Sequence, residues 1–281
     1  MAKGIYMTVD GVVRNAPSAY MTVDNTLRSV PAGYMTVDGA VRQFHPAGTP
    51  LGDIGVMLGD SFYLNVDGVA TEFIVINYGQ LINNDTEGYY VEDDGIWLLM
   101  KNIWKVDYYH TSNVYSHRMS SVLNDEFLPL LDKDVQSVIK TVKIPYYNGP
   151  SVSSSSGGEL CYGWDGLDQK IFLLSLHECG IYVSSTSTNG DALSSRTCKT
   201  QYFSSNYNGA TNADRIAYYN GTAIEWWTRS PRWQQSSYEL VINTSGSYTS
   251  KVTNTTNKYG IRPALVLPYT ALVNENRLVV G

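Results

Sequence analysis

The chain has 281 residues, 43% of them hydrophobic, which suffices for one large domain with an appendage or for two ordinary domains. Only 16% are charged, so Ser, Thr, Asn, Gly and Tyr must cover much of the surface. A net charge of −6 offers phosphates no attractive field, which argues against nucleic acid and against an anionic membrane surface as partners.

Residues 1–46 carry a tandem repeat. Tyr6-Met7-Thr8-Val9-Asp10-Gly11 recurs as Tyr20-Met21-Thr22-Val23-Asp24-Asn25 and as Tyr34-Met35-Thr36-Val37-Asp38-Gly39, a period of 14 residues. Alternating residues that run into Asp-Gly or Asp-Asn predict a strand entering a tight hairpin turn, and Pro17, Pro31 and Pro46 mark the joins. A single hairpin cannot bury a core. The repeats are therefore expected to pack on one another, on the main domain or on further copies, as an attachment or oligomerisation element in a homo-oligomer, a trimer being favoured. Met1–Ile5 lacks the apolar core of a signal peptide, and no stretch approaches the ~20 apolar residues of a membrane span. A chain of this kind that acts outside a cell arrives by another route, such as a phage particle.

Gly48, Pro50, Gly52 and Gly55 predict a linker over residues 47–57, which leaves 58–281 as the main domain. Ser61–Val66 and Thr71–Ile76 alternate around Asp67-Gly68 as a hairpin, and Ile96–Met100 suits a buried strand. Met119, Val122, Leu123 and Phe127 fall at helical spacing, as do Val135, Val138, Ile139 and Val142 after Pro129, with Asp132 as N-cap. Ser151–Gly158 is a Ser/Gly loop. Lys170–Leu174 reads as a strand, and Ser175 with Glu178 as a capping box that opens a short helix. Residues 184–214 read as a long polar loop, followed by strands at Ile224–Arg229, Tyr238–Ile242, Tyr248–Val252 and Ala264–Leu267. Few helices among many short strands predict the α+β class.

Chemistry-bearing patterns are sparse. His45, His110, His117 and His177 have no metal-ligand spacing, and Ser175 lies in no nucleophile elbow. Glu92-Asp93-Asp94-Gly95 lacks the alternation of a calcium loop. Cys161, Cys179 and Cys198 form no C-x-x-C and read as buried free thiols. No catalytic residue, metal or cofactor is expected. Twenty-two Tyr against six Phe, with abundant Ser, Gly and Asn, is instead the composition of adaptable binding surfaces or of half-exposed strands. In the C-terminal third, Trp226 and Trp227 must point to opposite faces of their strand, so at least one is core. Pro231 should end that ladder. Tyr238, Leu240 and Ile242 should share one face of the next strand, with Glu239 and Val241 on the other. Thr253–Lys258 is too polar to bury and reads as a solvated loop or a binding face.

Trp226-Trp227-Thr228-Arg229-Ser230-Pro231, followed after a polar stretch by Gly260-Ile261-Arg262-Pro263-Ala264-Leu265, resembles a domain family common in gut Firmicutes and their phages. That family is related to the C-type-lectin-fold variable proteins of diversity-generating retroelements. Trp97–Met100, Val122–Phe127, Lys170–Ser175 and Arg215–Tyr218 extend the resemblance over residues 58–268. It implies a C-type-lectin-like fold of the formylglycine-generating-enzyme-like variant, behind the N-terminal β-hairpin repeats. Trp226, Trp227, Arg229, Pro231, Gly260, Arg262 and Pro263 would be its frame.

Diversified relatives carry their variable residues between the two motifs, here Arg232 to Tyr259. The resemblance thus places ligand binding on Arg232, Trp233, Gln234, Gln235, Ser236, Tyr238, Tyr248, Thr249, Lys251, Asn254, Thr256, Asn257 and Tyr259. Aromatic anchors would be Trp233, Tyr238, Tyr248 and Tyr259, since such residues commonly dominate binding energy. The N-terminal repeats look like those heading phage tail proteins. The expected function is non-enzymatic host recognition at a phage tail or tail tip, on the virion, with a host-surface protein or glycan as target and tail components bound through residues 1–46. A bacterial surface or secreted adhesin is the alternative. The sulfatase-activating oxidases share the broader fold and need reactive cysteines, which keeps Cys179 and Cys198 as a third reading.

Overall fold

The computed structural model describes the strands of residues 5–44 by their backbone, and residues 48–281 apart from 82–88, 111–113, 149–158, 186, 188–189, 205–210, 234 and 236. Each N-terminal repeat pairs two antiparallel strands: Ile5–Val9 with Val12–Ala16, Tyr20–Val23 with Thr26–Ser29, and Gly33–Val37 with Ala40–Phe44. Val9 pairs with Val12, Val23 with Thr26 and Val37 with Ala40, which leaves two residues between the paired strands of each unit. The turn residues, Pro17, Pro31, Pro46 and His45, like the Ser151–Gly158 loop, lie outside the described residues.

From residue 48 the chain is rich in sheet and poor in helix. Ten strands form the two main sheets: β1 (Ser61–Val66), β2 (Val69–Tyr78), β3 (Ile96–Met100), β4 (Lys105–Tyr108), β5 (Ile171–Phe172), β6 (Trp226–Pro231), β7 (Tyr238–Ile242), β8 (Tyr248–Val252), β9 (Lys258–Ile261) and β10 (Ala264–Leu267). The first sheet has the order β5-β10-β3-β2-β1 and is antiparallel throughout. The second has the order β4-β9-β6-β7-β8, with β6 and β9 parallel and the other pairs antiparallel. Asp67 and Gly68 turn the β1–β2 hairpin with φ of 51° and 75°, the left-handed geometry that Asp-Gly tolerates. All five residues of β3 are buried, because β3 is central and covered on both faces.

Two strand pairs carry the chain from one sheet to the other. β3 in the first sheet leads to β4 in the second, and β9 in the second leads back to β10 in the first. Arg262 sits at this crossing. Its Nε donates to Met100 O at 2.8 Å, its Nη2 to Lys101 O at 3.0 Å, and its guanidinium lies 5.1 Å from the Trp226 ring. Met100 N–H donates to Pro263 O and Trp104 N–H to Ile261 O, which binds the two corners together. Gly260 packs closely under Ile103, since a Cβ there would stand 2.8 Å from Ile103 Cδ1 and force that side chain to shift.

The structure departs from the sequence reading in several places. The segment expected as a linker is docked: Thr49–Pro50 pairs with Leu272–Val273, and buried Leu51 donates its N–H to Ala271 O at 2.8 Å. Gly48 marks close backbone approach, not flexibility, because a Cβ there would lie 2.6 Å from Val273 O. The first expected helix is a three-residue α-turn, Met119–Ser121, that widens into π-helix over Val122–Phe127 and tightens to 3-10 over Leu128–Leu130. Pro129 lacks the N–H that an α-helix would use there, while Asn124 turns its side chain to the β5 edge. Its Oδ1 accepts from Lys170 and Ile171 N–H, and its Nδ2 donates to Ile171 O and Gln169 Oε1. The second helix spans only Lys133–Val138; Val142 belongs to a strand paired with Leu167–Gln169. Asp132 makes no capping bond and accepts from Asn65 Nδ2 at 2.8 Å instead. Finally, only Ile171–Phe172 of the expected 170–174 strand joins a sheet, and the Ser175/Glu178 box closes a turn that does not continue as helix.

A deletion series tests the boundary. Removing residues 1–46 is expected to leave the melting temperature of the remainder within about 2 °C, because the docked segment is retained. Removing 1–58 takes away Leu51 and the pairing with Leu272–Val273, and should lower it by roughly 5 °C or more, read by calorimetry.

Candidate functional site

The two sequence motifs build a frame with its polar atoms satisfied inside the protein. Arg229 and Glu178 are both fully buried and form an ion pair. Arg229 Nη1 donates to Glu178 Oε2 at 2.5 Å and to Leu173 O at 2.7 Å, Nη2 donates to Glu178 Oε1, and Nε donates to Pro145 O at 3.0 Å. Glu178 also accepts from Tyr90 Oη at 2.7 Å and from Ser175 N–H at 2.8 Å. Burial alone would lower the pKa of Arg229, but Glu178 raises it, so the guanidinium stays charged. Arg262 has carbonyls for partners in place of an acid, and burial lowers it to about 10. Trp226 and Trp227 are both completely buried and point to opposite faces, their indoles donating to Arg215 O and Asp107 O. Pro231 does not end the ladder; it pairs with Glu239 beyond a bulge.

Between the motifs, exposure returns. β7 is buried from Glu239 to Ile242, but every residue of β8, the outer strand, is half-buried. Tyr238 and Ile242 share a face, and Ile242 pairs with Tyr248, so Tyr238 and Tyr248 lie on the same face at opposite ends of the β7–β8 pair. On that side the Arg232 guanidinium stands 5.2 Å from the Tyr238 ring and donates to Ser250 Oγ at 3.5 Å. Thr249 and Lys251 occupy the opposite face. Lys251 pairs with Glu225 at 2.7 Å and lies 5.2 Å from the Tyr259 ring, which meets Trp227 edge-on at 4.7 Å. Trp233 packs apart from both groups, against Tyr147, Leu160, Ala192 and Leu193. The expected anchors Trp233, Tyr238, Tyr248 and Tyr259 thus bracket the β8 edge from two sides. Asn254 Oδ1 accepts from the N–H groups of Thr256 and Asn257 at 3.1 and 2.7 Å, which fixes the turn after β8. Gln235 is exposed; Gln234 and Ser236 lie outside the described residues.

Glu225 was missed by the sequence reading. It is Lys251's partner, and with Val106, Ala223, Ile224, Thr244, Lys258 and Tyr259 it lines an open depression of about 360 Å³. Its only signal is a position directly before Trp226. Asp191 and Glu239 were missed as well. Both are fully buried beneath the segment, Asp191 pairing with Arg232 through a backbone β-bridge and Glu239 lying opposite Pro231. Glu239 lies under β6, on the side of Tyr109. Burial first, then Asp191, pushes Glu239 well above the carboxylate range. Burial likewise raises Asp191 to about 7, against an N–H from Leu193 and the charge of Arg229. Among the described residues, no group of three or more His, Cys, Asp or Glu is placed to hold a metal. Asp93 accepts from Leu81 N–H and Asp94 from Tyr269 Oη, so the carboxylates of the 92–95 turn serve separate contacts.

These features define a sheet-rich domain in which a buried ionic frame carries a half-exposed polar segment. Residues 94–269 match the family described as a domain of unknown function (DUF6273), and the chain belongs to that family. The matched span holds both frame motifs and the whole segment between them, while β1 and β2 precede it. No curated protein and no solved structure matches the chain.

Three substitutions test the buried charges. Arg229→Met strands Glu178 and is expected to cost about 3–5 kcal/mol in urea unfolding, part of which Glu178→Gln should restore in the same background. Asp191 has a folded pKa above its unfolded value near ~4, so the stability present below that value is lost as pH rises through about 7. Asp191→Asn should therefore raise the melting temperature at pH 8 by roughly 2–4 °C, the shift expected of ~1 kcal/mol in a domain of this size. The gain should vanish towards pH 4.

Proposed function

We propose that the chain is a non-enzymatic recognition protein with a C-type-lectin-like fold, whose ligand is held along the β8 edge and its flanking loops. The observation that carries this reading is the division of labour between 226 and 262. Trp226, Trp227, Arg229 and Arg262 are buried, while the described candidate positions Arg232, Trp233, Gln235, Tyr238, Tyr248, Thr249, Lys251, Asn254, Thr256, Asn257 and Tyr259 all remain at least partly exposed. A frame that packs independently of the side chains it presents tolerates variation in them, which is the property a host-recognition surface needs. The two sheets joined by crossing strands, with short helices at the side, are in keeping with a lectin-like scaffold. The buried Cys179 thiol, pushed up to about 12 by burial, weighs against a sulfatase-activating oxidase, because such chemistry requires an accessible thiolate.

In this reading the N-terminal hairpins attach the protein to a phage tail and assemble it as an oligomer, a trimer being favoured, while the main domain contacts a host-surface protein or glycan. A secreted or surface adhesin would use the same domain in the same way.

A paired alanine scan of stability and host-cell adsorption provides the test. Replacing Arg232, Tyr238 or Lys251 should weaken adsorption by about tenfold or more with little change in melting temperature. Trp226→Ala should destabilise by ~3–5 kcal/mol. Trp233 and Tyr259, which pack on their neighbours, should show both effects. If the exposed set lowers stability as much as Trp226 does, or if adsorption survives the whole set, the segment is scaffold and the reading fails.

A further inference from the structure

One tryptophan contributes nothing to the core. Trp97, Trp226 and Trp227 are completely buried, whereas Trp164 is 76% exposed. It stands on a single 3-10 turn, Gly163–Asp165, held firmly from below. Gly163 has φ of 60° and donates its N–H to Tyr89 O at 2.8 Å, and Gly166 donates to Gly163 O at 3.0 Å. A Cβ on Gly166 would lie 3.0 Å from Ile144 O, so the turn is pressed against the 142–144 strand. Two residues before Trp164, Tyr162 meets Tyr89 edge-on at 5.0 Å, with the Arg196 guanidinium 4.8 and 4.9 Å from their rings. A large apolar ring on a fixed turn exposes surface that folding leaves unused.

We propose that Trp164, with Tyr162 and the exposed carboxylates Glu159 and Asp165, is a stacking platform for a neutral saccharide. The chemistry selects this occupant over others. Arg196 already lies against both tyrosine rings, so they offer no cage for a quaternary ammonium. The carboxylates would repel phosphates, which excludes nucleic acid. Glu159 opens the Glu159–Cys161 strand and Asp165 closes the Gly163–Asp165 turn, so the two carboxylates flank Tyr162 and Trp164 in the chain. A protein partner needs about 800 Å² per side, far more than an indole and a tyrosine edge supply. A pyranose presents an apolar C–H face that covers an indole and hydroxyls that donate to carboxylates at its rim.

The platform adjoins the proposed recognition segment. Leu160, two residues before Tyr162, packs in the same cluster as Trp233, and Arg196 N–H donates to Leu193 O of that cluster at 2.9 Å. The saccharide would accordingly be part of the ligand read by the Arg232–Tyr259 segment, and the inference rests on that reading for its biological role, though not for binding itself.

Native affinity electrophoresis of the full chain in gels containing a mannan, a β-glucan, an α-glucan or a galactan tests it, with choline chloride as a competitor arm. At least one polysaccharide should retard the protein, Trp164→Ala should weaken retardation about tenfold, and Trp164→Phe should keep part of it. Because the ring is exposed, the melting temperature of both variants should match the parent. Retardation by none of the polysaccharides, equal retardation of Trp164→Ala, or competition by choline would overturn the proposal. Scoring the Arg232–Tyr259 alanine set alongside separates the two ideas. Loss of cell adsorption in that set with unchanged Trp164→Ala retardation sinks the platform alone, and the converse pattern sinks the recognition segment alone.

Discussion

The buried contact between Arg229 and Glu178 organises the interior of the domain. Removing two charges from water costs several kcal/mol per ion, and their attraction offsets this only when the remaining donors and acceptors are also satisfied. Here they are met from separate regions of the chain. Arg229 belongs to β6 of the second sheet, Leu173 and Ser175 follow β5 of the first, and Pro145 and Tyr90 come from connecting segments. An apolar cluster of the same volume would bring these segments together in several arrangements. The ion pair accepts one, because a small displacement leaves a charge unpaired.

Arg262 plays a related role with carbonyls alone. Its bonds to Met100 and Lys101 hold the corners where the chain changes sheet, and its stacking on Trp226 links that crossing to β6. The two motifs are therefore one unit, separated in sequence by the segment they support. Strand β8 hangs outside this unit, paired only through β7 among the described residues. Its contacts with the frame are few and lateral: Lys251 to Glu225, Tyr248 to the core, Ser250 to Arg232.

Local rules carried the sequence reading far. Asp67-Gly68 specified its hairpin, the apolar run 96–100 its buried strand, and Ser175 with Glu178 their reciprocal bonds. What local rules could not show was how distant residues compete for the same groups. Asn124 gives its side chain to a strand 45 or more residues away, and the helix around it widens. Glu178 looked like a simple cap because Arg229, 51 residues later, is invisible to a four-residue pattern. Glycines at 48 and 52 looked flexible because the backbone they touch lies at the far end of the chain. For the candidate segment, the residues themselves showed only that Thr253–Lys258 is too polar to bury, and its wider bounds came from the resemblance. Its division into two faces was not legible, since that depends on the register of β7 with β8 and on the bulge in β6.

The pairing of Thr49–Pro50 with Leu272–Val273 brings the two ends of the main domain together. Tyr63 extends this closure, donating to Arg277 O and accepting from Val279 N–H at the β1 edge. A domain whose ends meet can be spliced into a loop of another protein, or have its ends joined and new ones opened elsewhere, without a long bridge. A pull on the residues before Thr49 would reach the domain at these two short antiparallel strands, only two residue pairs long, so this clamp would take the load first.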